Sequence, residues 1–516
     1  MLSRQLVRHR PRLVTTTTRV SQSASRPRFS STQPQNRATT VTNVATTGAL
    51  IAAGWVVNDV YKRDTRAGDK HNAPPAAAAA KTALVTGGGP RIPDLDQLGT
   101  SDGQIAYTAP ASSEDVTRQL NEHAFSFTGL GSQGVSRYHG AQLASNSPCE
   151  DAFVHGSFSS PFKSQEVGRD NKWMAWAVFD GHCGWQLSNL LTTQMMPFVR
   201  RALGDAKPPK DGEGPVSEES IHQALKSAFT TLDDALVKSA TATIDSNMSF
   251  AEKARRLEAA YAGSCALLTL FDPASRNLMV ASTGDCRAVL GQMAADGKWE
   301  SKDLTVDCTG ATPSEIARLQ AQFPDEPDVV KGGRVWGMQP SRTFGDGMWK
   351  WTATLKNRLR WYYNGLSMPS YSRYKNYKDG PYLTAEPLVT TTKISDTQPS
   401  FLILSTDGLW DTMSSEDAVD LVGRWIDWQA QGGQKDKQPL KPQTTDTVLG
   451  WKHQCQYDEK KATVQDDNAA VHLMRNGLGG GDEEMVRGAL TFRYPNSRDI
   501  RDDMTVQVVF FSPKSA

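Results

Sequence analysis

Seven apolar residues in a row, Trp173 to Phe179, stop abruptly at Asp180-Gly181-His182-Cys183-Gly184. A run so short and free of charge reads as a buried strand. A helical pattern follows at once, with Leu187, Leu190, Leu191, Met195 and Phe198 spaced along one helix face. A strand that hands a carboxylate and an imidazole to its own end sets an acceptor and a base on the rim of a rigid core. Binding and catalytic groups concentrate on such rims.

The same grammar recurs. Strand-like runs from Cys265 to Phe271 and from Leu278 to Leu290 are joined by the turn Asp272-Pro273, and the second is interrupted by Thr283-Gly284-Asp285. Phe401 to Leu404 runs into Asp407-Gly408, Asp502-Asp503 precedes Met504 to Phe511, and Glu150-Asp151 stands before another apolar segment. Helical stripes occupy 221–240 and 418–428, so strands are many and helices lie between them. A single Asp at a strand end is ordinarily a turn former or a helix cap. Five acidic ends on segments hundreds of residues apart point to one shared rim. Carboxylates gathered there repel and become protonated unless a cation sits among them. Oxygen ligands with no paired Cys favour a hard divalent ion, Mg²⁺ or Mn²⁺, over Zn²⁺.

Charge and cysteine remove other classes. The chain of 516 residues has a formal net charge of +1. Residues 1–58 hold eight of its 57 Lys and Arg and no acidic residue, which leaves 49 basic against 56 acidic residues beyond them. The body is mildly acidic, so a groove for a nucleic-acid backbone is not expected. The cysteines at 149, 183, 265, 286, 308 and 455 form no Cys-x-x-Cys pair and read as reduced, mostly buried thiols. None has an Arg six residues on, as a cysteine-nucleophile phosphatase would need.

Residues 1–40, rich in Arg, Ser and Thr, have the composition of a mitochondrial transit peptide or of a plain disordered tail. The 21 uncharged residues between Arg37 and Asp59 suffice to cross a bilayer, so 41–58 is a candidate membrane segment. Inserted, it would leave the body in the intermembrane space; otherwise the body reaches the matrix. Residues 59–122 read as a linker, and one domain is expected over 123–513. Gly129-x-Gly131-x-x-Gly134 has dinucleotide-site letters but no helix after it, and reads as a turn.

Asp180-Gly-His-Cys-Gly184, Gly284-Asp-Cys-Arg-Ala288, Asp407-Gly-Leu-Trp-Asp411 and Arg501-Asp-Asp-Met-Thr505 resemble, in order, the motifs of the metal-dependent type 2C (PPM) serine/threonine protein phosphatases. Ala144-Ser-Asn-Ser-Pro-Cys-Glu-Asp151 and Pro340-Ser-Arg-Thr-Phe-Gly-Asp346 are similar to the mitochondrial pyruvate dehydrogenase phosphatase branch.

That resemblance implies an α+β fold, a four-layer α/β/β/α sandwich of two antiparallel sheets flanked by helix pairs. It implies that Asp180 bridges two Mg²⁺ or Mn²⁺ ions, with Glu150 and the Gly181 carbonyl on one and Asp407 and Asp502 on the other. Asp285, Asp407 and Asp411 match a third, weaker metal position. A water activated between two metals would attack phosphorus, with no phospho-enzyme. His182 would protonate the leaving oxygen, or merely hydrogen-bond a ligand carboxylate. Most of the family places a phosphate-gripping Arg four residues before the Glu; here that residue is Asn146, and Arg137 and Arg342 are candidate substitutes. Asp503 stands where many relatives carry Asn. Insertions are expected near 347–382, an aromatic and basic stretch suited to docking a protein or to plain surface, and near 431–496, where Asp466-Asp467-Asn468 reads as a helix cap. The implied substrate is a phosphoprotein, with the pyruvate dehydrogenase E1α subunit favoured. A phosphoprotein-binding pseudophosphatase and a two-metal hydrolase of small phosphoesters are the rival readings.

Overall fold

The computed structural model describes residues 112–130, 134–162, 172–206, 216–359, 379–433 and 455–513. Their strands are Phe125–Thr128 (β1), Val135–Leu143 (β2), Ala152–Ser159 (β3), Lys172–His182 (β4), Gly263–Asp272 (β5), Asn277–Thr283 (β6), Arg287–Met293 (β7), Trp299–Asp303 (β8), Val330–Lys331 (β9), Arg334–Val335 (β10), Phe344–Gly345 (β11), Leu388–Lys393 (β12), Ser400–Ser405 (β13) and Met504–Phe511 (β14). Their helices are Ser113–Leu120 (α1), Gln186–Asp205 (α2), Glu218–Asp245 (α3), Phe250–Tyr261 (α4), Pro313–Gln322 (α5), Gly347–Lys350 (α6), Ala353–Leu359 (α7), Asp407–Trp410 (α8), Ser415–Ala430 (α9), Ala469–Gly477 (α10) and Glu483–Thr491 (α11).

One antiparallel sheet runs β1-β2-β14-β13-β7-β8 and the other β12-β6-β5-β4-β3, with β11 beside β5. Side-chain parity stacks them. On β4 the odd residues Trp173, Ala175, Ala177 and Phe179 pack with α2 and α3, whereas Met174, Trp176 and Val178 meet the first-named sheet at Leu402, Leu404 and Val509. On that sheet Phe401, Ile403, Val506 and Val508 turn outward, onto Trp425 of α9 and Val471 and Met474 of α10. Both faces of the central strands are therefore buried, which is why β4 is an unbroken apolar run in sequence. The four-layer sandwich follows. One irregularity matters. Phe510 pairs with Arg137 but Phe511 pairs with Val135, so Ser136 is an extra residue in β2. Val135 and Tyr138 then face the core between the sheets, and Arg137 does not.

Several segments differ from expectation. Residues 113–120, placed in the linker by composition, form α1. A capping box between Ser112 and Asp115 starts it, and Val116 and Leu120 bury one face. Within the 431–496 insertion α10 belongs to the core: every residue of it is buried, and the Asn468 side chain caps it by accepting the backbone N–H groups of Ala470 and Val471. Beneath α10, Arg475 makes two bonds to buried Asp466 at 2.7 and 2.8 Å and a third to Thr117 of α1 at 2.9 Å. Trp349, Trp351 and Tyr382, in the stretch read as a docking or surface excursion, are buried too. Gly129 and Gly134, both at positive φ, flank the connection of the β1–β2 antiparallel pair, as a turn would require. Among the described residues no helix is long and apolar enough to cross a membrane, and residues 1–58 lie outside them.

Arg475→Met, which leaves Asp466 buried without its counter-charge, is expected to cost about 3–5 kcal/mol. Denaturant unfolding measures it; a loss under 1 kcal/mol would mean that α10 is an appendage.

Candidate metal centre

Register brings the acidic ends together. In the first-named sheet Leu143 pairs with Met504, and Ser405 pairs with both Val506 and Arg287. In the other Asp180 pairs with Cys265, Ala266 with Thr283, and Ala152 with Phe179. Glu150, Asp180, Asp285, Asp407 and Asp502 therefore leave their strands along one end of the sandwich. Asp180 continues the inward-facing even set of β4. One carboxylate oxygen from each of Asp180, Asp285 and Asp407 lies within 4.8 Å of the other two. Asp411 follows Asp407 by one turn, its N–H bonded to the Asp407 carbonyl at 2.7 Å. Glu150 and the Gly181 backbone touch: a Cβ at 181 would run into the Glu150 carbonyl oxygen, which also accepts from Ser188 Oγ. Asp502 stands on the same rim outside the triad, bonded to the Asp503 N–H at 2.6 Å and ion-paired with Arg498.

Electrostatics make the gathering unstable on its own. Burial drives the Asp180 carboxyl well above the usual range, and the charge of Asp407 drives it further. Asp407 is raised by burial and then by Asp285 and Asp411. Burial also raises Asp285 and Glu150. Asp151, one residue on from Glu150, is pushed up to about 8 by burial and then by Asp503, although Thr406 and Thr505 each donate a hydroxyl to it at 2.8 Å. A cation reverses this cost. The donors suit a hard one: Cys265 gives its thiol hydrogen to Asp285 at 3.1 Å, and burial holds both Cys265 and Cys286 well above the thiolate range.

His182 is held by a partner outside the triad. Its Nε2 sits 2.8 Å from Asp346 Oδ2, and Asp346 is fully buried at φ +47°, a conformation that costs a non-glycine residue about 1–3 kcal/mol. Burial lowers the His182 pKa, but the charge and hydrogen bond of Asp346 together with the charges of Asp285 and Glu150 outweigh it, and the net shift is upward. Gly263 makes room, since a Cβ there would strike both partners.

The family model for protein phosphatase 2C matches residues 144–444, well over half the chain and four of the five acidic ends. The chain belongs to the protein phosphatase 2C family. Membership makes it a metal-dependent protein serine/threonine phosphatase. A protein phosphatase 2C homolog of Schizosaccharomyces pombe is 37% identical over 410 residues, 79% of this chain and 87% of that one. The mitochondrial pyruvate dehydrogenase (acetyl-transferring)-phosphatase 1 of Saccharomyces cerevisiae is 32% identical over 399 residues, 73% and 69% of the two chains. Its Bos taurus counterpart is 28% identical over 476 residues, 80% and 84%. The solved serine-threonine phosphatase 2C from Toxoplasma gondii covers 73% of this chain and 95% of its own at 18% identity, with a TM-score of 0.42.

Within this phosphatase the candidate phosphate-binding residues fare unequally. Arg137 is a correction: the Ser136 bulge turns it outward, where its guanidinium stacks on Trp425 and Phe510 at 4.8 and 4.7 Å. Arg342 is another: it is buried, with Nε and Nη2 on Glu315 at 3.1 and 2.8 Å and Nη1 on the Glu386 carbonyl at 2.7 Å. All three of its guanidinium nitrogens are engaged. Asn146 does stand at the site, but its Nδ2 serves Asp503 at 2.9 Å and Glu150 at 3.3 Å. Asp503 is the residue whose role its sequence position hid. Its carboxylate accepts the backbone N–H groups of Ser145, Asn146 and Glu150, so it moors the loop that presents Glu150. The cysteines are mostly buried, as expected: Cys265, Cys286, Cys308 and Cys455 are buried, Cys149 is half-buried and Cys183, at φ +59°, is exposed.

Only an acceptor-only carboxylate serves all those donors. Asp503→Asn turns one oxygen into a donor facing N–H groups and is expected to cost about 1–3 kcal/mol. Faster amide hydrogen exchange across 145–150 checks it; unchanged exchange and stability would remove Asp503 as the mooring.

Proposed function

We propose that the acidic rim holds two divalent ions, Mg²⁺ or Mn²⁺, with a third position beside them, and that the enzyme dephosphorylates a mitochondrial phosphoprotein, foremost the pyruvate dehydrogenase E1α subunit. The convergence of Asp180, Asp285 and Asp407 within 4.8 Å carries the metal assignment. Asp180 would bridge, Glu150 and the Gly181 carbonyl would complete one position, Asp407 and Asp502 the other, and Asp285 and Asp411 with Asp407 the third. Bound there, divalent ions supply an acidified water and charge neutralisation for the phosphoryl group. The substrate and compartment rest on likeness to pyruvate dehydrogenase phosphatases at 28–32% identity and on the transit-peptide composition of 1–40.

His182 supplies the proton. Asp346 takes Nε2–H, so Nδ1 is the atom left for the leaving serine or threonine oxygen. The hydrogen bond to Asp346 favours the protonated imidazole that this role needs. Asp346 fixes the ring without touching substrate, since it is fully buried.

Phosphorylated E1α should release phosphate with Mn²⁺ or Mg²⁺, and chelator or Asp180→Ala should lower the rate at least about 10³-fold. Binding without release would make the protein a phosphoprotein reader; turnover of nucleotides but not of phosphoprotein would make it a small-phosphoester hydrolase. Asp346→Asn is expected to slow phosphoserine peptide about 10²-fold and p-nitrophenyl phosphate, whose leaving group needs no proton, less than tenfold. Equal losses on both would remove the proton-donor role.

A further inference from the structure

A phosphate dianion meets an electrostatic difficulty at this rim. Glu150, Asp180, Asp407 and Asp502 carry four negative charges, which cancel two divalent ions. Family members commonly add an arginine at the position of Asn146, but here the Asn146 amide is spent on Asp503 and Glu150. Arg137 is stacked in the outer core and Arg342 is locked on Glu315. A cation reaches the place by another route. Arg498 lies on a short 3-10 helix, Asn496–Asp499, before β14. Its Nη1 pairs with Asp502 and donates to Ser145 Oγ at 3.3 Å, beside Asn146. Ser497, its neighbour, donates its hydroxyl to the Ser145 carbonyl and fixes that turn against the loop.

We propose that Arg498 is the guanidinium that receives the substrate phosphate, entering from the β14 side in place of an arginine at 146. Its side chain is 39% exposed, and its Nε and Nη2 make no hydrogen bond among the described residues, so a bidentate face remains for an anion. It bridges both halves of the site: it pairs with Asp502 and donates to Ser145 on the loop that presents Glu150. A phosphoryl group held between the two metal positions therefore lies within its field. The inference rests on the two-ion reading of the rim.

The test compares the Mn²⁺-loaded wild type with Arg498→Ala, Arg498→Gln and Arg498→Lys, using phosphopeptide, p-nitrophenyl phosphate and inorganic phosphate. Removing the guanidinium is expected to raise KM and the inhibition constant of inorganic phosphate about 10- to 100-fold, as loss of a charge-assisted pair does. The Mn²⁺ concentration for half-activation should move less than about threefold. Lysine should recover part of the loss, and Asn146→Arg added to Arg498→Gln should restore phosphate binding measured by calorimetry. Unchanged phosphate inhibition with a shifted Mn²⁺ requirement would overturn the proposal and leave Arg498 as a partner of Asp502 alone. If alanine unfolds the domain, glutamine and lysine carry the comparison. A wild type that releases no phosphate at all would instead refute the two-ion reading.

Discussion

Three carboxylates held within 4.8 Å of one another, largely out of water, are what the rest of this molecule is built to tolerate. No loop could hold them so. Each leaves the end of a strand whose two faces are packed, Asp180 from β4, Asp285 from the β6–β7 corner and Asp407 from β13. The sandwich supplies rigidity, and like charges supply a standing demand for a counter-ion. The mechanical and electrostatic halves of the site are thus one arrangement.

The polar layer behind the triad shows how that strain is contained. Asp151 takes hydroxyls from Thr406 and Thr505, Gln142 donates to Thr505 and to the Asp151 carbonyl, and Gln507 reaches across to the Ala177 carbonyl at 2.9 Å. These bonds join β2, β3, β13, β14 and β4 just beneath the rim. Each lies between two apolar sheets, where an unpaired group is costly, so they hold the sheets in register.

Much of this was legible in the sequence, for a physical reason. Strands buried on both faces announce themselves as apolar runs, and carboxylates at their ends need no long-range knowledge to find. Less legible were contacts made by partners far away in the chain. The Arg342–Glu315 pair spans 27 residues, and nothing local marks Glu315 as its acceptor. Asp346 sat inside a recognised motif, yet its bond to His182 crosses 164 residues. The helix cap at Asn468 could be read locally, but not that Arg475 and Asp466 behind it neutralise one another in the core. Asp503 looked like a spare charge until its three backbone donors were in view.

The bulge at Ser136 decides which side chains of β2 face inward. Plain alternation would put Arg137 on the same side as Val135, inside the dry space between the sheets. One surplus residue resets the reading of every later position in β2, sending the charge outward to Trp425 and bringing Tyr138 into line beside Trp176. It acts as a frameshift written in three dimensions. Were the bulge flattened with every residue kept, a guanidinium would take the place of a phenol in the heart of the sandwich, although no chemical group at the catalytic end had changed.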